Sequence, residues 1–168
     1  NRRARKIFFG FLLLALTVRA AEQKWITAQQ LASGLNYTQV IPPTVEMSEL
    51  RYLPGDDARW AQREWDDAAW RVVSFSRVPR HSGVFWLRFR VRDTRAGVPD
   101  GIFLNAPMAY DFFWDGGLIA RSGTPANTRT DEVPGNTFNF IAVPTDRRGP
   151  GEHVIALRVS NLRDHYPM

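Results

Sequence analysis

The segment VFWLRFRVR, residues 84–92, sets the strongest limit on what this chain can fold into. Its residues alternate in character with the period of two that is typical of a β-strand. One face carries Phe85, Leu87, Phe89 and Val91, and the other carries Trp86, Arg88, Arg90 and Arg92. The pattern predicts a strand with one face in the core and the other face open to solvent or to a ligand.

Other short runs rich in β-forming residues are separated by clusters of Gly, Pro, Asn and Asp. These runs are 71–75, 101–105, 109–114, 118–121, 137–143 and 152–160. The tripeptide Asp115-Gly116-Gly117 supplies the positive φ angles of a tight turn, so the runs beside it should pair as a hairpin. The last run should be covered on both faces except at Arg158. No long helix interrupts the runs, which favours an antiparallel all-β sandwich over a parallel α/β sheet.

The N-terminal residues 1–20 have the pattern of a secretory signal peptide. A basic stretch precedes an uncharged apolar run at 7–18 and small residues near Ala20. The apolar run is shorter than the roughly 20 residues of a membrane-spanning helix, and an uncleaved anchor is the alternative. Residues 21–45 are expected to form a linker with a short helix at 28–33. The folded domain should therefore occupy 46–168, on the exported side of a membrane.

Charge and cysteine content exclude several classes of function. Five of the 22 basic residues lie in 1–20, which leaves 17 basic residues against 17 acidic ones in the rest of the chain. A neutral domain gives no support for nucleic-acid binding. The absence of cysteine from the sequence excludes disulfides, thiolate metal sites and a cysteine nucleophile.

The acid pair Asp66-Asp67 could belong to a catalytic or metal site or to a structural turn. The histidines His81, His153 and His165 show no HxH or HExxH spacing, so neither a metal site nor a cofactor is expected. Asp side chains accept hydrogen bonds from nearby backbone N–H groups and so close turns. The favoured interpretation is a structural turn formed by Asp66 and Asp67, with Trp70 anchoring the next strand in the core. A structural cation held by these carboxylates is the alternative.

Several segments of the chain carry a family resemblance. They are LPGDDARWA at 53–61, EWDDAAW at 64–70, GVFWLRF at 83–89, YDFFWDGGLIARSG at 110–123 and GEHVIALRVSN at 151–161. Together they resemble the galactose-binding-like jelly roll, the fold of the sugar-binding domain of family-two glycoside hydrolases. The first two segments are especially similar to the periplasmic N-terminal sensory domains of bacterial membrane signalling proteins. In those proteins a membrane region and a histidine kinase, diguanylate cyclase or serine phosphatase follow.

The resemblance implies an antiparallel jelly-roll β-sandwich over roughly residues 46–161 and transfers no catalytic residue. Family members commonly have Ser where this chain has Ala68, and Asn-Gly where it has Asp115-Gly116. Both differences preserve the turn chemistry. The family fold normally has one or two further strands, so we expect the chain to be part of a longer polypeptide.

A carbohydrate site would need an aromatic platform and a few orienting polar groups. Two clusters fit this description, and the alternative for each is a core or surface stack without a ligand. The clusters are Trp86 with Arg88 and Arg90, and Trp114 with Asp115 and Arg121.

These observations leave two functional hypotheses open. The first is a non-catalytic extracytoplasmic module that senses a small molecule or glycan and is tethered to the membrane through a downstream region. The second is the sugar-binding accessory domain of a secreted family-two-like glycoside hydrolase. A free-standing enzyme is not expected, because the sequence offers no nucleophile, base or metal constellation.

Overall fold

The computed structural model describes residues 25–27, 45–93 and 101–163. The strands are β1 (Trp25–Thr27), β2 (Val45–Ser48), β3 (Leu50–Pro54), β4 (Arg71–Val73), β5 (Phe85–Asp93), β6 (Gly101–Asn105), β7 (Ala109–Trp114), β8 (Gly117–Ser122), β9 (Phe138–Ala142) and β10 (Glu152–Ser160). Two 3-10 helices, Ala58–Ala61 and Thr145–Arg147, lie in loops.

The predictions for the chain termini fall outside this part of the structure. The signal peptide at 1–20, the helix at 28–33 and residues 164–168 are not among the described residues. Within the described ranges, no helix has the length and hydropathy required to cross a membrane.

Strands β5 and β10 form the centre of the larger sheet. That sheet has eight strands in the order β1-β2-β5-β10-β7-β8, with β3 paired to β5 and β4 paired to β3. One edge of β5 pairs antiparallel with β10, from Glu152↔Arg92 to Val159↔Phe85. The other edge is divided between β2 and β3. Strands β6 and β9 form a separate antiparallel sheet.

The two sheets enclose a shared hydrophobic core. Side chains of β5 in this core are Phe85, Leu87, Phe89 and Val91, and the smaller sheet adds Ile141 with the partly buried Ile102 and Leu104. Full burial of side chains of this size stabilises the folded state by about 1.5–3 kcal/mol each. The predicted all-β antiparallel sandwich and the predicted core face of residues 84–92 are confirmed.

The predicted hairpin at Asp115 is also confirmed. Strands β7 and β8 pair antiparallel, with Trp114 opposite Gly117. Asp115 and Gly116 connect them with φ angles of 46° and 83°, which is the conformation of a type I′ turn. Because only Gly adopts such angles without strain and Asp tolerates them, the Asp-Gly dipeptide determines this connection.

Strands β1, β2 and β3 were not predicted. The expected linker at 21–45 contributes all of β1, which pairs with β2. The pairing of β5 with β2 ends at Met47, and its pairing with β3 begins at Arg51. Between them, in the described part of the chain, the Arg90 backbone N–H has no backbone acceptor on this edge of β5. The buried Ser48 hydroxyl accepts a hydrogen bond from the Arg90 backbone N–H at 2.8 Å and donates one to Glu49 O at 3.0 Å. The Ser48 side chain thus supplies the hydrogen bond that the Arg90 N–H would otherwise make to a neighbouring strand.

Candidate functional site

The first predicted ligand cluster lies inside the protein. Trp86 and Arg88 are both 0% exposed, and Arg90 is partly buried. The expectation that this face of β5 is open to solvent or ligand is therefore wrong at Trp86 and Arg88. The cause is the segment 55–70, which covers the face and forms a second small core of Ala61, Trp70, Val84, Trp86 and Ala156.

The guanidinium of Arg88 holds the covering segment in place through its backbone. It donates hydrogen bonds to Trp60 O, to Gln62 O at 3.1 Å and to Trp65 O at 3.4 Å. Its Cζ atom also lies 5.9 Å from the centre of the Trp70 ring, within cation–π range. Arg88 is therefore an internal anchor and reaches no surface on which a ligand could bind.

Asp67 supplies the counter-charge for this buried cation. Its carboxylate lies 3.0 Å from Arg88 Nε and 3.3 Å from an Arg90 guanidinium nitrogen. Arg90 also contacts Glu152 at 3.1 Å. Burial lowers the pKa of Arg88 from its ordinary value, and the hydrogen bond with Asp67 opposes that shift. The second acid of the pair thus neutralises a core charge, a role different from the simple turn that the sequence suggested.

The neighbouring Asp66 does lie in a turn. Its carboxylate accepts the Ala68 backbone N–H at 2.9 Å, and the Trp70 N–H is bonded to Asp67 O at 3.0 Å. Trp70 is buried and packs edge-on against Trp60, with ring centres 5.5 Å apart.

A second pair of adjacent acids, Asp56 and Asp57, lies ten residues earlier, and its two members also have separate roles. Asp57 accepts the Arg59 backbone N–H at 2.9 Å and begins the 3-10 helix. Hydrogen bonds from the Arg59 side chain and backbone lower the pKa of Asp57 from its ordinary value. Asp56 pairs with Arg158 at 2.6 Å, and this hydrogen bond raises the pKa of Arg158.

The second predicted cluster is only partly assembled, and its predicted aromatic platform is wrong, because Trp114 is 1% exposed and belongs to the core. Trp114 and Asp115 are adjacent at the β7–β8 turn, whereas Arg121 lies further along β8, is exposed and pairs with Asp111 at 3.1 Å. The turn borders a surface cleft of about 370 Å³, lined by Trp114, Asp115, Gly117 and Arg147. We call this feature the hairpin cleft.

Arg147 gives the hairpin cleft its positive charge. A Cβ atom placed on Gly117 would lie 1.4 Å from an Arg147 guanidinium nitrogen, so this side chain occupies the space that Gly117 leaves open. Among the described residues, no carboxylate lies within ion-pair distance of Arg147, which is exposed at the end of its 3-10 helix. The sequence analysis missed Arg147, because nothing in the sequence indicates that residues 145–147 pack against the hairpin.

Asp115 holds the negative side of the cleft in a fixed position. One carboxylate oxygen accepts the Val154 backbone N–H at 2.8 Å, and the other lies 2.6 Å from His153 Nδ1. His153 Nε2 lies 2.8 Å from Gly149 O, and the ring centres of His153 and Trp114 are 4.7 Å apart. Both ring nitrogens of His153 are thus engaged by protein acceptors.

Across residues 25–27, 45–93 and 101–163, no group of three or more His, Cys, Asp or Glu side chains is arranged to hold a metal ion. The alternative of a structural cation at Asp66 and Asp67 is disfavoured, because Asp67 already binds two guanidinium groups.

Comparison with known proteins assigns no family to this β-sandwich. No protein-family model and no curated protein matches the chain. One solved structure that resembles it is a Bacteroides uniformis β-glucuronidase, with 14% identity and a TM-score of 0.49 over 71% of this chain and 15% of that one. Another is a β-glucuronidase from glycoside hydrolase family 2, with 14% identity and a TM-score of 0.46 over 76% of this chain and 15% of that one.

At such low similarity these matches assign no activity, and the chain spans only 15% of the length of either β-glucuronidase. Neither match is a sensory domain, so the resemblance to periplasmic sensory domains stays a prediction.

Proposed function

We propose that this chain is the non-catalytic, extracytoplasmic ligand-binding module of a bacterial membrane signalling protein, with a small molecule or glycan bound in the hairpin cleft. The supporting observation is the cleft itself. Its volume of about 370 Å³ falls in the range of small-ligand sites. Arg147 offers several hydrogen-bond donors. The Asp115 carboxylate already binds Val154 N–H and His153, and Trp114 is 1% exposed, so its ring offers no open face for stacking. This lining suits a small polar ligand whose hydroxyl or carboxylate oxygens accept hydrogen bonds from Arg147.

A binding role fits the cleft better than catalysis does. Its acid and imidazole pair is committed to the protein, since Asp115 binds Val154 N–H and His153 while His153 also faces Gly149 O. His153 is buried as well. A general acid or base must reach the proton that it transfers, and this histidine is enclosed.

The cleft is connected to the centre of the larger sheet. Asp115 bonds to Val154 through both its side chain and its backbone N–H. Val154 belongs to β10, which pairs with β5 and β7. A ligand that binds one arrangement of the hairpin more tightly would favour the matching position of β10, as a sensor requires.

Ligand binding is tested by isothermal titration of the protein with neutral mono- and disaccharides, uronic acids and amino acids. A compound that binds should bind Arg147→Ala about 10- to 100-fold more weakly, the equivalent of about 1.5–3 kcal/mol for a hydrogen bond to a charged group. Gly117→Ala should weaken binding too, because the added methyl displaces the Arg147 guanidinium. The matched control is Arg77→Ala, an exposed arginine that does not line the cleft.

Two results would contradict the binding site. One is that no compound of the panel binds, and the other is that Arg147→Ala binds as the original protein does. The signalling role is tested separately by the complete gene. A membrane span followed by a kinase, cyclase or phosphatase domain supports it, whereas a downstream barrel with paired carboxylates supports a glycoside hydrolase accessory domain instead.

A further inference from the structure

The outer face of the β6–β9 sheet carries three exposed phenylalanines. Phe103, Phe138 and Phe140 are 53%, 62% and 65% exposed. Alternate residues of the same strands, Ile102 and Ile141, point into the core between the sheets. The inward side chains of the two strands are apolar, as expected for a sheet that packs on a core. The outward positions, where polar residues are usual, carry aromatic side chains. We call these three residues the aromatic face.

Two rings of the aromatic face lie close together, and the third extends over the neighbouring strand. Phe103 is directly opposite Phe140 in the strand register, and its ring centre lies 6.2 Å from that of Phe138 with 35° between the planes. The Phe140 ring reaches across the neighbouring strand, since a Cβ atom on Gly101 would lie 2.5 Å from its Cζ. Glycine at 101 therefore allows the Phe140 ring to lie over β6, on the same face as the pair of Phe103 and Phe138.

Within the described strands β6 and β9, no charged side chain shares the aromatic face. The other outward residues of the two described strands are Gly101, Asn105 and Ala142. Asn105 lies opposite Phe138, and among the described residues its amide has no hydrogen-bond partner. An occupant should therefore be uncharged and have an apolar surface, with a polar group near Asn105.

The size of the aromatic face argues against a second copy of this chain as that occupant. The exposed fractions of the three rings correspond to about 350 Å². A stable protein interface buries about 800 Å² on each partner, more than twice that area. A lipid surface is disfavoured as well, because membrane-binding faces usually add Lys or Arg around their aromatic residues.

We propose that the aromatic face is a stacking platform for a neutral glycan chain, with the Asn105 amide hydrogen-bonding a hydroxyl group of the sugar beside Phe138. The apolar faces of sugar rings lie on Phe103, Phe138 and Phe140. The ligand class rests on the proposed function, but the site is separate from the hairpin cleft and lies on the other sheet. It would let the protein hold a polysaccharide while the cleft binds a small ligand.

The test is titration calorimetry of the full chain with soluble mixed-linkage β-glucan, xyloglucan and galactomannan. At least one should bind, and Phe103→Ala and Phe138→Ala should each weaken that binding by about 2- to 10-fold. Phe138→Tyr keeps the ring and should stay within about twofold of the original affinity. The matched control is Val72→Ala, an exposed apolar residue on β4 of the other sheet. Thermal melting checks that each variant is folded.

The result distinguishes this inference from the proposed function. Arg147→Ala should leave polysaccharide binding unchanged, and Phe138→Ala should leave small-ligand binding at the hairpin cleft unchanged. The inference is overturned if none of the three polysaccharides binds, or if the alanine variants bind as tightly as the original protein. It is also overturned if light scattering shows a dimer, or sedimentation shows binding to phosphatidylcholine vesicles, that Phe138→Ala abolishes.

Discussion

Replacing Asp67 by Asn should destabilise the protein strongly, although it changes only one atom of the side chain. Asp67 is 4% exposed and Arg88 is 0% exposed, so the substitution leaves a buried guanidinium without its full counter-charge. Removing one partner of a buried ion pair typically costs about 3–5 kcal/mol. Because Asn keeps the volume and one acceptor oxygen, we expect about 3 kcal/mol. This corresponds to a fall in Tm of roughly 6–12 °C.

The assay is urea denaturation followed by tryptophan fluorescence. Trp60 and Trp70 lie around Arg88 and report directly on the covering segment. The matched control is Asp66→Asn, since Asp66 is exposed and makes one turn hydrogen bond that Asn can also accept. That control should change the free energy of unfolding by less than about 0.5 kcal/mol.

Arg88→Met extends the same test. It removes the ion pair together with the hydrogen bonds to Trp60 O and Gln62 O. We expect the order of destabilisation to be Arg88→Met, then Asp67→Asn, then Asp66→Asn. If the free energy of unfolding of Asp67→Asn lies within about 1 kcal/mol of that of the original protein, the ion pair does not hold the segment. The argument from burial is then refuted.

Three further predictions concern a side chain that caps a strand N–H, a glycine in a tight turn and the carboxylate that begins a 3-10 helix. Ser48→Ala leaves the Arg90 N–H without its acceptor and should lower the free energy of unfolding by about 1–3 kcal/mol in urea titrations. Gly123→Ala should cost at least about 2 kcal/mol in the same assay, because Gly123 has a φ of 67° and a Cβ there would lie 2.2 Å from Val133 O. Asp57 has a pKa below its ordinary 3.8, so its contribution is present above about pH 4 and is lost as pH falls through the folded value. Asp57→Asn should therefore reduce the loss of stability in acid, measured as Tm against pH.

Each of these has its own check. Ser48→Thr keeps a hydroxyl group and should recover part of the loss at that position. Gly149→Ala meets nothing within 4 Å and should be nearly neutral, so equal effects at the two glycines would refute the steric argument. For Asp57, curves that stay parallel down to pH 2 would show that the carboxylate does not stabilise the fold.

Residues 84–92 and the Asp115 turn show how much of the fold could be predicted from the sequence. Strict alternation and an Asp-Gly turn are local signals, and both gave the correct element. Alternation could not say what covers each face. The row of arginines suggested solvent, because Arg is rarely fully buried. The segment 55–70 reverses that expectation through contacts distant in sequence, including Arg88 with Trp60 and Gln62.

The candidate sites were harder to predict than the fold. Trp114 and Asp115 were identified because they form one turn, whereas Arg147 comes from a distant loop and carries no local signal. The aromatic face was missed because alternating aromatic residues usually indicate the core. Nothing in the sequence distinguishes Phe103, which is exposed, from its inward neighbour Ile102.

Arg88 grips the covering segment by carbonyl oxygens, which every amino acid possesses. The exposed side chains of Gln62 and Glu64 take no part in these contacts, whereas Arg63 between them donates a hydrogen bond to Glu152 O at 2.9 Å and lies 3.6 Å from the Asp115 carboxylate. Positions 62 and 64 should accept other residues, such as a fluorophore attachment residue, while the path of the segment over the sheet is retained. Side chains on the outside of this segment can thus be replaced while Arg88 keeps the main chain in place.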